Sequence, residues 1–308
     1  MTALTADVAG PTTLDADLPP GPVDGPAAGD PGPVGPSGAH LMLRRVGAVG
    51  LKVLGPFLVA CGFVAIWYGV TYLALPDHQR FLLPPPHEVV TDGFLDAQTR
   101  SELVSGLWST TRVATLGLLL AFTLGSFFAI FLAQARWIER SFYPYAVILQ
   151  TIPVLALTPL VGLWFGFNFR SRVLICLILA LFPIITNTLF GLRSTAKAHH
   201  ELFTLHDSGR WTRLVRLQLP SALPAIFTGL RISAGLSVIG AIVADFFFRQ
   251  GEKGIGRLLD VYRSQLASDK LIAAVICSAA LGVAVFLVIT ALSNRVLRSW
   301  HDSATHRS

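Results

Sequence analysis

Long apolar segments constrain this chain more than any other feature of its sequence. Six can be drawn, at residues 49–75, 111–133, 144–163, 173–191, 226–248 and 271–292. Each is long enough to cross the hydrocarbon core of a bilayer, which takes about 20 helical residues. Backbone polar groups find no water there, so such segments fold as helices. The sequence therefore predicts an all-α, polytopic membrane bundle with six transmembrane helices.

Composition and charge agree with a membrane protein. The chain is 53% hydrophobic and only 14% charged, with a mean hydropathy of +0.60, which leaves too little polar surface to coat a soluble domain. Its net charge of +6 comes from basic residues scattered at segment ends. That pattern is typical of membrane loops and argues against a nucleic-acid partner. The cysteines all lie in apolar runs without metal-ligand spacing, so neither a metal site nor a disulfide is expected.

The polar parts of the chain divide it into three regions. Residues 1–40 are rich in Pro, Gly, Ala and Asp and are predicted to form a disordered cytoplasmic tail. Residues 41–300 form the six-span domain, and residues 301–308 form a C-terminal tail. The segment 76–107 is an amphipathic connector with a helix expected from His87, at the outer membrane surface. It either contacts a substrate-delivering protein or simply lies at the interface.

A charged, amphipathic island at residues 201–224 separates two apolar segments and must face water. Its pattern predicts two short helices with a turn around Asp207 and Gly209, because Gly and, less readily, Asp tolerate a left-handed conformation. In the second helix Trp211 and Leu214 share one face. Pro220 and the proline at 224 are predicted to end that helix, since proline lacks the donor that a helix interior needs.

This island resembles the cytoplasmic loop of ABC importer permeases, whose signature is E-A-A-x3-G-x9-I-x-L-P. Glu201 takes the first position of the signature and Leu219-Pro220 the last two, while Asp207 stands at the glycine. Other segments resemble the nitrate/sulfonate/taurine-type branch of that family. They are L-P-P-P-H-E-V-V at 83–90, Q-T-I-P-V-L-A-L-T-P-L at 150–160, L-W-F-G at 163–166 and G-L-R-I-S-A-G at 229–235. Together the resemblance covers about residues 41–300.

The resemblance implies a type I ABC importer-like permease subunit of a bacterial inner membrane, with both termini cytoplasmic. It implies a second copy of the permease, two ABC ATPase subunits that carry ATP and Mg, and an extracytoplasmic solute-binding protein. The solute would be small and polar: nitrate, a sulfonate, taurine, bicarbonate or a pyrimidine precursor. An ion-gradient-driven secondary transporter is the alternative, and it would show an inverted repeat and midplane carboxylates.

No cofactor or enzymatic activity is expected in this chain itself. A glycine-containing loop at 251–256 does not complete the G-x-x-x-x-G-K-[ST] pattern of an ATP site, and no catalytic constellation is found in the sequence. These glycines are predicted to form an outer loop.

The coupling loop, residues 192–224, is the predicted docking site for the ATPase. Acidic Glu201 and basic Arg210 are expected to pair with that subunit, while Trp211 and Leu214 fill an apolar pocket. The alternative is a helix pair resting on lipid headgroups. Gly209 is a candidate for the strained position that the signature glycine would hold. The full set of coupling residues is Glu201, Leu202, Leu205, Asp207, Gly209, Arg210, Trp211, Leu219 and Pro220.

Polar residues inside the spans are candidates for a translocation path, because they are costly in lipid unless they face a path or the bundle interior. These are Gln150, Thr151, Thr158, Asn187 and Ser233. Hydrogen bonds between helices are the alternative role. Asp245 is expected to pair with Arg249. The small residues of the fifth span predict close packing, either within the chain or against another copy.

Overall fold

The structure is a computed structural model that describes residues 38–248 and 251–301. The predicted tails at 1–40 and 301–308 therefore lie almost entirely outside the described residues, and their disorder stays a prediction. The chain divides into two compact units after Ala60. The described part of the first unit is the beginning of helix α1, and the second unit contains all later elements.

The described residues form helices and no strand. Eleven α-helices follow one another: α1 Gly38–Gly69, α2 Pro86–Glu88, α3 Ala97–Ala133, α4 Arg136–Thr151, α5 Val154–Phe165, α6 Phe169–Arg193, α7 Lys197–Leu205, α8 Arg210–Arg213, α9 Leu219–Phe247, α10 Ile255–Ser264 and α11 Ser268–His301. A 3-10 helix covers Asp77–Leu82, and wider π-helical turns cover Val70–Ala74, Val89–Leu95 and Leu214–Gln218.

Among the described residues, five stretches of helix are long and apolar enough to cross a membrane, and α5 is a shorter apolar helix. The long stretches are Leu54–Ala74, Ala97–Ala133, Phe169–Arg193, Arg210–Phe247 and Ser268–Arg298. The predicted polytopic helical fold is confirmed. Two span starts differ most from the prediction: α3 begins at Ala97 where 111 was predicted, and the helical stretch of the fifth span begins at Arg210 where 226 was predicted.

Helix α3 begins early because Asp96 caps it. The Asp96 carboxylate accepts hydrogen bonds of 2.8 Å from both the backbone N–H and the hydroxyl of Thr99, which satisfies one of the donors left free at a helix start. These bonds lower the pKa of Asp96. The connector before the second span is thus largely helical, and its helix starts at Pro86, close to the predicted His87.

The predicted third span, 144–163, is wrong as a single helix. Ile152 has an extended backbone, with φ −66° and ψ 125°, and separates α4 from α5. The cause is Pro153, since the ring of a proline disfavours helical geometry in the residue before it. Pro144 and Pro159, in contrast, lie inside α4 and α5.

Pro220 and Pro224, at the end of the coupling loop, do not end its second helix, which corrects the sequence prediction. Helix α8 continues through the π-helical turn Leu214–Gln218 into α9, giving an unbroken helical stretch Arg210–Phe247 of 38 residues. Pro220 comes directly after the π-helical turn Leu214–Gln218, where the regular helical hydrogen bonding is already interrupted. The wide turn just before it supplies the local adjustment that such a junction needs.

Helix α6 lies at the centre of the bundle between α3 and α9. A Cβ on Gly117 of α3 would stand 2.3 Å from the Cβ of Cys176, and one on Gly240 of α9 would stand 3.0 Å from the Cα of the same residue. Helices pack this closely in membranes where small residues face each other. In α9, Gly235 faces open space, whereas most of the predicted small residues are buried within the chain: Gly229, Ala234, Gly240, Ala241 and Ala244.

Candidate functional site

The coupling loop folds as two helices joined by a tight turn, as its sequence predicts. Helix α7 ends in a Schellman motif: the Ser208 N–H bonds to the Phe203 carbonyl, and the Asp207 N–H to the Thr204 carbonyl, each at 3.0 Å. Asp207 has a φ of +51°. Gly209 has an ordinary φ of −62°. The left-handed position is therefore held by Asp207 at the glycine of the signature, and the suggestion that Gly209 takes it over is wrong.

Substitutions at Asp207 and Gly209 are expected to affect stability differently. Asp207→Gly should raise the free energy of unfolding by about 0.5–1 kcal/mol, because a left-handed non-glycine residue costs roughly 1–2 kcal/mol and glycine returns part of that as chain entropy. Gly209→Ala, with no atom within 4 Å of the added Cβ, should change it by no more than about 0.5 kcal/mol. Denaturant unfolding in detergent measures both. A loss of stability in Asp207→Gly would contradict this account.

Four large apolar side chains of the coupling loop are exposed, among them Val215 at 43%. Leu205 is 86% exposed, Trp211 74% and Leu202 54%. Leu214, expected beside Trp211 in the docking surface, is instead 3% exposed. It is buried because the continuous helix turns that face inward, against Leu192, Ala222 and Ile226.

The remaining predicted coupling residues fall into two groups. Glu201, Arg210, Asp207 and Gly209 are exposed, and within the described part of the chain neither Glu201 nor Arg210 has an ion-pair partner. Leu219 and Pro220 are half-buried, and Leu219 packs against the apolar cluster around Leu214. Those last two residues hold the loop to the bundle, while the others remain available to a partner.

Side-chain contacts tie the loop to itself and to the bundle. Arg213 donates a hydrogen bond of 3.0 Å to the Thr204 hydroxyl, which joins the second helix to α7. At the entry to the loop, Arg193 at the end of α6 forms an ion pair with Glu139 of α4. A cleft of about 170 Å³ opens on the α7 side of the turn, lined by Leu202, Phe203, His206 and Ser208. These contacts hold the two helices of the loop in place, and the surface that they present is partly apolar.

A buried polar centre, which the sequence analysis missed, lies at the other end of α9. The Asp245 carboxylate is 2.8 Å from an Arg172 guanidinium nitrogen of α6 and accepts a 2.5 Å hydrogen bond from Thr110 of α3. The side chains of Asp245 and Arg172 are 0% and 3% exposed. Thr110 in turn accepts from the Ile255 N–H at 2.9 Å, and Arg172 donates to the Glu252 carbonyl at 3.2 Å. One ion pair thus joins α3, α6, α9 and the start of α10.

The expected pairing of Asp245 with Arg249 lies outside the described residues, because Arg249 is not among them, and it stays a prediction. Within the described part of the chain the Asp245 carboxylate contacts Arg172. The sequence did indicate that Asp245 needs a partner, because a single charge within an apolar segment is costly unless it is paired. The sequence alone did not show that residues 73 positions apart face each other.

Glycines let the loop between α9 and α10 lie directly on this ion pair. A Cβ on Gly254 would stand 1.8 Å from an Asp245 carboxylate oxygen, and one on Gly256 would stand 2.0 Å from the Ile242 carbonyl. The predicted glycine-containing outer loop is therefore short and is followed by helix α10, which the sequence analysis did not predict. Tyr262 of α10 donates a 2.8 Å hydrogen bond to Glu102 of α3, and burial raises the pKa of Tyr262.

Two of the candidate path residues lie next to the break between α4 and α5. Gln150 is exposed and lines a cleft of about 210 Å³ with residues of α5, α6 and α9, among them Val154, Phe182 and Leu236. Thr151 is exposed, and its hydroxyl donates to the Ile148 carbonyl of its own helix.

The other three candidates bond to backbone carbonyls. Thr158 is buried and donates to Val154 within α5, and Asn187 donates to Pro183 within α6. Ser233 of α9 is buried and donates at 2.7 Å to the Ala180 carbonyl of α6, which is the interhelical bond of the alternative role. The structure does not bring the five residues into one site, and a path role for each stays a prediction.

Comparison with known proteins decides the family. Residues 121–298 match the family described as binding-protein-dependent transport system inner membrane component. That segment contains α4 to α10, with the coupling loop, and most of α11. The chain is an ABC importer permease of this family. It is accordingly an integral inner-membrane transport subunit and not an enzyme, and its family works with ATPase and substrate-binding partners.

Several named relatives support this assignment over most of the permease. This chain is 34% identical to the formylaminopyrimidine transport permease protein ThiX of Halalkalibacterium halodurans, over 72% of its own length and 87% of that protein. It is 32% identical to the riboflavin transport system permease protein RibX of Chloroflexus aurantiacus, over 76% and 85%. It is also 29% identical to a putative aliphatic sulfonates transport permease protein of Bacillus subtilis, over 80% and 87%.

Proposed function

We propose that this permease imports a small polar solute at the expense of ATP hydrolysed by a partner subunit. The observation that carries the proposal is the coupling loop, where Leu202, Leu205 and Trp211 are exposed on a braced helix pair. Exposed apolar and aromatic side chains of this kind are the usual anchors of a protein interface. Two ATPase subunits, one per permease copy, would dock there on the cytoplasmic side, with both permease termini on that side.

A displacement of the coupling loop would be transmitted to the bundle through helix α9. Its second helix is continuous with α9 through the turn Leu214–Gln218, and α9 packs against α6, α3, α10 and α11. Movement of Trp211 by a closing ATPase would therefore move α9 and, with it, the helices around it. Interfaces between packed helices have discrete alternative arrangements, so such an input switches a cavity between two states.

The translocation path is proposed to lie between two copies of the permease. The cleft lined by Gln150 is open at the surface of the single chain and contains residues of α4, α5, α6 and α9. A second copy placed over it would close it into a passage. A solute-binding protein on the outer side would deliver the solute.

The substrate class is proposed to be a small polar or anionic solute. Named relatives transport aliphatic sulfonates, taurine and bicarbonate, but also formylaminopyrimidine and riboflavin. Riboflavin extends the range beyond the compounds that the sequence resemblance suggested. Screening the solute-binding protein for thermal stabilisation by these compounds would identify the substrate.

Reconstituted transport tests the proposal. The permease, with the ATPase and binding protein that copurify with it, is placed in proteoliposomes, and uptake of the stabilising solute is measured. Uptake should require ATP on the side of the ATPase and should stop when the ATPase cannot hydrolyse it. Uptake driven by a proton or sodium gradient without the ATPase would contradict the proposal and favour a secondary transporter.

A further inference from the structure

An arginine without a carboxylate partner lies between α9 and α11. Arg231 of α9 donates a 2.7 Å hydrogen bond to the hydroxyl of Ser293, which is fully buried, and a 3.5 Å bond to the side-chain oxygen of Asn294. Its Nε is buried and has no hydrogen-bond partner. Hydroxyl and amide oxygens do not neutralise a guanidinium, so this positive charge remains uncompensated within the described chain.

An open basic groove on α11 lies beside this contact and shares Asn294 with it. The surface of α11 beside it contains a groove of about 750 Å³, lined by Ala291, Asn294, Arg295, Leu297 and Arg298. Asn294 belongs to both features, since it lines the groove and accepts from Arg231. Residues 291, 294, 295 and 298 share one helical face. Among the residues whose side chains are described, no carboxylate forms an ion pair with Arg231, Arg295 or Arg298.

The position of the groove along α11 places it at a membrane interface. The apolar run of α11 ends at Leu292, and Arg295 and Arg298 follow by roughly 5 and 9 Å along the helix axis. Exposed apolar side chains continue from this level along the span, including Phe286, Val288 and Leu292 on α11 and Ile232 on α9. The basic groove is thus followed along the span by an apolar surface. A lipid with an anionic headgroup and apolar acyl chains is complementary to both.

We propose that Arg231, Arg295 and Arg298, with Asn294, bind the phosphate of an anionic phospholipid whose acyl chains lie along α9 and α11. Charge complementarity carries the assignment. Basic side chains at the boundary of a span attract anionic headgroups, and a phosphate oxygen can accept from several guanidinium donors at once. Arg231 differs from arginines that are merely solvated at a span end because it is half-buried and donates to the fully buried Ser293 hydroxyl. The site is independent of the transported solute.

Native mass spectrometry of the full-length permease tests the site. The delipidated protein is incubated with equimolar phosphatidylglycerol and phosphatidylcholine, and the retained lipid is counted. The wild type should retain phosphatidylglycerol preferentially. Arg295→Gln together with Arg298→Gln should lower that preference about 25-fold, since each basic side chain near a membrane surface contributes about a factor of five. This pair of changes leaves the Arg231–Ser293 hydrogen bond in place.

A matched control and a soluble competitor complete the test. Arg100→Gln removes one positive charge from an exposed groove on α3, as Arg231→Gln does from the proposed site, and it should keep the wild-type preference. Arg231→Gln should lower it. Equal retention of both lipids by the wild type, or an unchanged preference in the Arg295→Gln/Arg298→Gln protein, would overturn the proposal. Displacement of the lipid by glycerol 3-phosphate at the same concentration would also overturn it, because the site would then serve a soluble anion.

Discussion

Asp245→Ala is expected to lower the free energy of unfolding by about 3–5 kcal/mol. The substitution leaves the Arg172 guanidinium, 3% exposed, buried without its counter-charge, and breaking a buried ion pair on one side costs about that much. It also removes the acceptor of the Thr110 hydroxyl. Reversible unfolding in mixed detergent and denaturant measures the change. A loss below about 1 kcal/mol would mean that the pair is not buried as described.

Two further variants separate the charge effect from loss of packing. Glu252→Ala breaks an ion pair with Arg112 in which both side chains are about half exposed, so it should cost no more than about 1 kcal/mol. Arg172→Met combined with Asp245→Asn removes both charges, keeps a hydrogen-bond acceptor for Thr110, and should be more stable than Asp245→Ala alone. If the double variant is as unstable as the single one, the buried charge is not the cause.

Leu205→Ser and Trp211→Ala, combined, are expected to abolish capture of the ATPase subunit while leaving the permease folded. Each side chain is largely exposed, at 86% and 74%, so folding loses little when it is removed. Interface anchors typically contribute about 2 kcal/mol or more each, which corresponds to roughly 30-fold in affinity per residue. Copurification of the ATPase and ATP-dependent uptake in proteoliposomes are the two measurements.

Leu266→Ser is the matched control for this variant. Leu266 is also an exposed leucine near the end of a short helix, two residues after the last residue of α10, with 63% of its surface accessible. It lies outside the coupling loop, so its replacement should leave ATPase capture unchanged. If the Leu205→Ser/Trp211→Ala protein captured the ATPase and transported solute at the wild-type rate, the loop would not be the docking site, and the helix pair would rest on lipid headgroups.

The helical class and the coupling loop could be predicted because both depend on local patterns. Twenty-residue apolar runs identify spans whatever their neighbours are, and the turn at Asp207 follows from the few residue types that adopt positive φ. The inward face of Leu214 could not be predicted in the same way. It depends on the continuity of α8 with α9 past Pro220, and sequence rules give a proline near a π-helical turn no fixed outcome.

The buried polar centre around the ion pair of Asp245 and Arg172 could not be predicted from the sequence for a different reason. Its members come from three spans and one connecting loop, and apolar periodicity does not give the rotation of one span relative to another. The glycines of that loop were recognised, but their role depends on the carboxylate below them: Gly254 has no room for a Cβ because Asp245 is there. Long-range pairing of this kind needs the three-dimensional arrangement.

The unbroken helix Arg210–Phe247 has a consequence for how this permease can move. At 1.5 Å per residue its 38 residues form a rod of about 57 Å, with Trp211 near one tip and Asp245 near the other. If the ATPase docks at the Trp211 end as proposed, a displacement there reaches the opposite end as rotation or sliding of α9, less the bending that the π-helical turn Leu214–Gln218 takes up. The ion pair between Asp245 and Arg172 holds that opposite end to α6, so breaking it should lower the amount of solute transported per ATP hydrolysed.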